Sequence, residues 1–489
     1  MSELSLTARV RTGVFWTAAS TLLIQGMSLA RSIVLARLLT RDDFGLFGMA
    51  LTILGALGVL TDLNLSAAVI AGKSEEEEKL HTRLNTVWTA ELGRRLLLSL
   101  LLLASAYPAV RFYQEPRLFS ILLVVSLMPV VDGFQNIGLV LLKRRVRFTR
   151  VVWFDLSAAF VNTAITILLA FWTRNVWALV LGQLLSTVGT ALLSYLFYPY
   201  RPRFAFDRSA FRQSFLFGKY IFIIGVMTYL TTNADNIVVG KLRGTSVLGT
   251  YLVAYSLASL PVNVLVNTLT KVMFPAYAEL GRDRRDRLDS AVLRAFSLTS
   301  ALLILVTVPV GLLSNEIVQL FYGPRWAAAG QLVRILILMG LFRGLTQMIS
   351  PLIIGLSRPE LDARAKVIEA VLFVAMLYPL TARYGAAGAA WAGVLIYFLT
   401  FMVRLWFCKG LVPETFRKVP GLLLSAALAG IGGAAAGGLV LSVAASPMAR
   451  LLLGSSVTMV SSLFLLLLTN GRLRREATEV MGGTWKRVR

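Results

Sequence analysis

Three arginines (Arg31, Arg334 and Arg343) and four aspartates (Asp62, Asp132, Asp155 and Asp235) lie inside stretches that are otherwise apolar. Guanidinium groups keep their proton and grip phosphate oxygens two at a time, so buried arginines suit an anionic, phosphate-bearing ligand. A buried carboxylate titrates closer to neutrality than a solvated one, so buried aspartates suit proton or cation coupling. Arg37, Glu91, Arg94, Arg95, Lys271 and Glu369 are also embedded in apolar sequence. At about 3 kcal/mol each on insertion scales, turning all these groups to lipid would cost roughly 40 kcal/mol. Arg37 can reach an outer interface, and Arg94, Arg95 and Lys271 an inner one. Arg31, Asp235, Arg334 and Arg343 lie deeper and are expected to face a protein interior or a wet cavity.

The apolar stretches that carry these charges set the class of the protein. Hydrophobic residues make up 57% of the 489 and mean hydropathy is +0.72. A span needs about 20 apolar residues to cross the hydrocarbon core. Fourteen stretches qualify, from Gly13–Leu39 to Leu451–Leu468, with Leu118–Leu142 as the fourth. Arg9 and Arg11 followed by apolar sequence and Ser28-Leu29-Ala30 have the outline of a leader. The stretch continues to Leu39 and matches an internal span, so a retained first helix is expected. Roughly two thirds of the 49 Lys and Arg fall on or beside the segments on the N-terminal side, and roughly a fifth in the opposite loops. The positive-inside rule therefore predicts both termini in the cytoplasm, beside an anionic leaflet that attracts basic loops. The cluster Lys143, Arg144, Arg145, Arg147 and Arg150 is the densest.

Several chemistries are excluded by the same inventory. A net charge of +24 and a pI near 10.7 are accounted for by topology, without a basic helix or separate domain for nucleic acid. One Cys (Cys408) and one His (His81) cannot make a disulfide or a Cys/His zinc site. Cys408 is expected to be inert packing and His81 a solvated residue after the acidic run Glu75–Glu78. Gly72-Lys73-Ser74 has the ending of a phosphate loop, but Ala67 stands where its first glycine is required. No cofactor is expected.

An internal repeat organises the spans. Arg31–Ala50 aligns with Asp235–Ala254 at an offset of 204 residues without a gap. Ile33/Ile237, Val34/Val238, Leu38/Leu242, Gly45/Gly249 and Ala50/Ala254 are identical. Six spans per unit is an even number, so both copies share one orientation, as in parallel repeats related by an axis along the membrane normal. The expected fold is all-α: two parallel six-helix lobes around a central cavity, plus two C-terminal helices. The expected organisation is an N-terminal lobe at 1–198, a cytoplasmic linker at 199–214, a C-terminal lobe at 215–407, two extra spans at 408–469 and a cytoplasmic tail at 470–489. Arg31 and Asp235 occupy equivalent places in the two copies. They could pair across a cavity in one state and part in another, or form a static local pair.

Several motifs, in order along the chain, resemble the Wzx-type oligosaccharide flippases of the MOP exporter superfamily, in particular the colanic and teichuronic acid branch. They are Ser32–Thr40 followed by Asp42-Asp43-Phe44-Gly45-Leu46, Lys143–Phe148, Asp235–Gly240 followed by Leu248–Tyr251, Pro261, Phe274-Pro275 and Tyr322–Trp326. The likeness covers about residues 10–410; Asn64 departs from it, standing where glycine is commoner. The resemblance implies a MATE-like fold and a cargo of undecaprenyl-diphosphate-linked oligosaccharide, carried from inner to outer leaflet for polymerisation, with polymerase machinery as a partner. It also implies coupling to a proton or sodium gradient, for which Asp62, Asp132, Asp155 and Asp235 are the candidate acids, beside a cationic cavity of Arg31, Arg334 and Arg343. Two other readings compete. A multidrug or lipid-II-type exporter would differ in cavity charge and cargo, and a strongly acidic lumen would favour the drug exporter. A membrane enzyme using the same lipid donor would need a large outer loop with catalytic groups, whereas the loop around Ser314–Trp326 holds only Glu316 and Arg325 as charges.

Overall fold

In the computed structural model the described residues are 6–62, 65, 77–144, 148–283, 285–356, 358–444, 446–471 and 473–475. Asn64, Gly72-Lys73-Ser74 and Arg145 to Arg147 lie outside them. Among the described residues the regular elements are helices and no strand occurs. Eleven helices among the described residues are long and apolar enough to cross a membrane. Their outer faces carry the apolar side chains, with Trp172, Leu196 and Val443 each more than 80% exposed. That inversion of the usual soluble pattern suits a hydrocarbon solvent, where a helix satisfies its own backbone groups.

The chain divides into two compact units, residues 1–252 and 253–489. The first holds α1 (Leu6–Leu38), α2 (Arg41–Thr61), α3 (Glu77–Tyr113), α4 (Arg117–Val125), α5 (Leu127–Gly133), α6 (Leu139–Arg144), α7 (Phe148–Thr173) and α8 (Trp177–Phe197). It also holds the first part of α9 (Arg208–Asp283). Here α1 packs on α7, α7 on α8, and α3 on α4 and α5. The second unit takes the rest of α9 with α10 (Arg285–Leu312), α11 (Ser314–Phe321), α12 (Ala327–Gly355), α13 (Pro359–Cys408), α14 (Pro413–Val443) and α15 (Pro447–Thr469). Its core joins Val266, Tyr277, Phe296, Leu303, Ile353 and Phe401.

Two helices are hairpins. Gly244 at φ 77° and Gly385 at φ 64° adopt backbone that side chains with a Cβ resist. Tyr251 donates to Asp235 Oδ2 at 2.7 Å although a straight helix would separate them by about 24 Å, so α9 folds back at Gly244. The same argument applies to α13, where Arg404 lies 3.1 Å from Asp362 and a Cβ on Gly388 would collide with Leu380 O. The arms match the apolar stretches Phe215–Gly240 and Val247–Phe274, and Lys366–Ala382 and Gly385–Phe407, which the sequence predicts as spans seven, eight, eleven and twelve.

The fourth predicted span is not one helix. Leu118–Leu142 falls on α4, α5 and α6, broken at Ser126 and after Gly133. Pro129 has no N–H to give the carbonyl four residues back. Nearby, Ser99 donates its hydroxyl to Ser126 O at 2.5 Å and Ser126 donates to Leu123 O at 2.7 Å. Hydroxyls thus supply donors where the backbone ladder weakens. The outer loop expected around Ser314–Trp326 also folds, as α11 and a short 3-10 turn, Pro324–Trp326.

Beyond α8 the chain runs along α3. Asn136, 2% exposed, donates to Tyr198 O at 2.7 Å and Tyr200 O at 2.8 Å. Ala205 and Asp207 then give their N–H groups to Thr89 and Thr86 of α3. The predicted linker is therefore strapped to the first unit through a polar row on one helix.

Candidate functional site

The N-terminal half of α2 closes against the second arm of α9 through the repeat itself. A Cβ on Gly45 would stand 1.9 Å from Thr245 O, and one on Gly249 would stand 1.9 Å from Arg41 O. Residues 41 and 245, and 45 and 249, are related by the repeat offset, so the contact is reciprocal. Thr245 also donates its hydroxyl to Asp42. At the start of α2, Thr40 and Asp43 form a capping box in which each side chain takes the other's backbone N–H.

The other end of α2 opens on the charged cavity of the first unit. Asp62 terminates the helix in extended backbone. Glu91, Arg94 and Arg95 follow at helical spacing on α3 and share one face. Arg94 binds Glu91 through Nε at 2.8 Å and Nη2 at 2.7 Å, and reaches Thr61 Oγ1 at 3.4 Å. Arg95 is ion-paired with Asp132 at the end of α5. These residues, with Asp155 of α7, line a cavity of about 300 Å³. A second cavity of about 440 Å³ shares Asp62, Arg94, Arg95 and Asp132 and adds Gln183 and Thr187. Four carboxylates face two guanidinium groups here, so the cavity is acidic in net charge. It offers fixed dipoles to sugar hydroxyls and carboxylates to a proton or cation.

The structure thus brings together three of the sequence-chosen acids, Asp62, Asp132 and Asp155, the last of them exposed. Arg94 is paired with Glu91 and Arg95 with Asp132, so carboxylates hold both in the cavity wall. Asp235 is elsewhere in the unit, 3% exposed and bonded to Tyr251. Arg31 is half-buried on α1. In the second unit Arg343 is half-buried and donates to Tyr255 at 2.9 Å, whereas Arg334, expected to be deep, is exposed on α12. Cys408 is buried among apolar side chains, and His81 is exposed and stacks on Tyr200.

Sequence reasoning missed a second charged cluster. Arg404 is 5% exposed and faces Asp362 at 3.1 Å and Glu369 at 3.8 Å. Lys366 reaches Glu369 at 2.7 Å. The signal was present: Asp362, Lys366 and Glu369 recur at helical spacing, and a hairpin at Gly385 brings Arg404 beside them. Outside the spans, Arg117 grips Glu115 with two hydrogen bonds of 2.8 and 3.0 Å, which hold that carboxyl below the ordinary glutamate range.

A helical chain with an apolar exterior, many spans and charged interior cavities is a multi-pass membrane carrier. The chain belongs to the polysaccharide biosynthesis protein family, whose pattern matches residues 34–331. It is 24% identical over 419 residues to the lipopolysaccharide biosynthesis protein WzxC of Escherichia coli K12, covering 85% of this chain and 84% of that one. It is 23% identical to the teichuronic acid biosynthesis protein TuaB of Bacillus subtilis 168, over 82% and 83%. It is 26% identical to the succinoglycan biosynthesis transport protein ExoT of Rhizobium meliloti 1021, over 67% and 66%. Among solved structures, the lipid II flippase MurJ in an inward closed conformation superposes with a TM-score of 0.77 at 15% identity, over 95% of this chain and 99% of that one. An inward-facing MATE multidrug transporter of the MOP superfamily gives 0.63 at 17% identity, over 82% and 99%. The fold is that of this superfamily.

Proposed function

We propose that the chain flips an undecaprenyl-diphosphate-linked oligosaccharide from the inner to the outer leaflet of the cytoplasmic membrane, as a transporter and not an enzyme. The observation that carries this is membership of the polysaccharide biosynthesis protein family, beside relatives named for lipopolysaccharide biosynthesis and succinoglycan transport; the acidic cavity beneath α2 offers its carboxylates to sugar hydroxyls and a coupling ion, not to the diphosphate. A sugar headgroup needs a polar lumen, while the lipid tail can stay in the bilayer. In this reading Arg31, Arg334 and Arg343 hold the diphosphate, and Asp62, Asp132, Asp155 and Asp235 serve coupling to a proton or sodium gradient. The two six-helix lobes (1–198 and 215–407) alternate around the cargo, both termini are cytoplasmic, and a polymerase receives the product.

The test is flipping of a fluorescent undecaprenyl-diphosphate oligosaccharide in proteoliposomes, with wild type beside Arg31→Ala and Arg343→Ala. Protein-dependent flipping lost in both folded variants is the expected result. Flipping that survives both overturns the arginine assignment. A wild type that moves none of this lipid, with or without an imposed proton or sodium gradient, overturns the cargo.

A further inference from the structure

The larger cavity of the first unit has a polar wall on α8 that the reading above leaves without a role. Gln183 and Thr187 lie one turn apart on that helix, and both line the cavity. Asn162 of α7 donates its amide to Gln183 Oε1 at 3.3 Å and to Ser186 Oγ at 2.6 Å. Ser186 is buried and donates in turn to Gln183 O at 2.9 Å. With its oxygen taken by Asn162, Gln183 has its Nε2 donors to give to the cavity. Thr187 donates its hydroxyl to Gln183 O at 2.8 Å, so its oxygen offers lone pairs. Thus α8 presents a donor beside an acceptor, fixed from behind by hydrogen bonds between two helices.

The charged residues of the same cavity, Asp62, Arg94, Arg95 and Asp132, again set donors beside acceptors. Arg95 and Asp132 are paired, but a guanidinium has more N–H groups and a carboxylate more lone pairs than one contact uses. Leu51, Leu54, Leu98 and Pro129 add apolar carbon to the lining. A matching ligand carries hydroxyls that donate and accept at once, around a ring with an apolar face. That describes a pyranose. The volume of about 440 Å³ lies within the usual range of small-molecule sites, about 300–1,000 Å³. Charge narrows the class further. With the adjoining cavity, Asp62, Glu91, Asp132 and Asp155 stand against Arg94 and Arg95. A carboxylate on the sugar meets like charge there, and a neutral or amino sugar does not.

We propose that Gln183 and Thr187 form a pyranose subsite that accepts a neutral or amino sugar of the headgroup and rejects a uronic acid. This rests on the reading of the cargo as a lipid-linked oligosaccharide. It gives that cargo two specificity-determining residues in the first unit, outside the charged set.

The experiment is saturation-transfer NMR on the full-length protein in nanodiscs, titrated with the methyl glycosides of glucose, glucosamine and glucuronic acid. The glucoside and glucosaminide are expected to bind, and the glucuronide to bind at least about tenfold more weakly. Gln183→Leu and Thr187→Val are each expected to weaken the glucoside by about threefold to tenfold. Gln183→Lys sets a cation in the wall and is expected to narrow the preference against the glucuronide. A purely structural Gln183 would lower all three ligands alike and leave that ratio unchanged. Should the polar variants fail to fold, Gly58→Phe serves, because Gly58 lines the cavity and a Cβ on it meets nothing within 4 Å. It is expected to abolish binding of the glucoside. Glucuronide binding equal to that of the glucoside overturns the proposal, as does the absence of saturable binding by any of the three. Binding that Gln183→Leu, Thr187→Val and Gly58→Phe all leave unmoved, or a ratio that Gln183→Lys does not change, also overturns it. The glycosides carry neither lipid nor diphosphate. Sugar binding without flipping of the undecaprenyl-diphosphate oligosaccharide therefore sinks the cargo reading alone, and flipping without sugar binding sinks the subsite alone.

Discussion

At the scale of single residues, the charges inside the spans act in pairs rather than singly. Arg95 and Asp132 show the energetics. Their side chains are 27% and 36% exposed, so the pair is worth less than a fully buried one. Asp132→Asn is expected to destabilise the protein by about 1–2 kcal/mol, because Arg95 loses its partner while staying in the cavity wall. Unfolding in detergent with Arg95→Gln and the double variant closes a double-mutant cycle, and a coupling energy near zero would show that the pair is structurally idle. That Asp62, Asp132 and Asp155 are embedded in apolar runs was legible in the sequence; that the three line one cavity was not. Their partners were not. Arg94 and Arg95 stand near an interface in sequence, and only the fold shows that Glu91 and Asp132 are within reach of them. The burial of Arg404 was hidden for a similar reason, because it follows from a hairpin that brings distant residues together.

At the scale of elements, the repeat found in sequence turns out to be a packing device. Gly45 and Gly249, identical and 204 residues apart, each admit the other helix's backbone at a distance no Cβ tolerates. Gly249→Val must therefore push α2 and the second arm of α9 apart. The expected cost is about 1–3 kcal/mol or more, since the collision is with backbone and not with a flexible side chain. Thermal unfolding of Gly249→Val beside Gly438→Val provides the check, because a Cβ on Gly438 meets nothing within 4 Å. Equal stability of the two would refute the crossing. Periodicity and hydropathy were enough to place the arms of α9 and α13, but the left-handed turns at Gly244 and Gly385 between them were not singled out. The division of the fourth span was not, because hydropathy is blind to how Ser126 and Pro129 interrupt a ladder of hydrogen bonds.

At the scale of the whole molecule, the proposed orientation rests on charge and not on packing. Loops rich in Lys and Arg alternate with poor ones along the chain, and the positive-inside rule expects the rich ones on the cytoplasmic side, beside an anionic leaflet. The single cysteine makes this testable. In a Cys408→Ser background, Met448→Cys probes the exposed first turn of α15, and Lys409→Cys the exposed residue that caps α13. One helix, α14, separates the two positions, so they must lie on opposite sides if it crosses the membrane once. An impermeant maleimide added to intact cells is expected to label Met448→Cys at once and Lys409→Cys only after permeabilisation. The reverse pattern would invert the carrier and place the acidic cavity, with Asp62, Asp132 and Asp155, at the outer leaflet. It would then meet the cargo on release instead of on loading. Labelling of both positions in intact cells would instead remove α14 from the set of crossing helices.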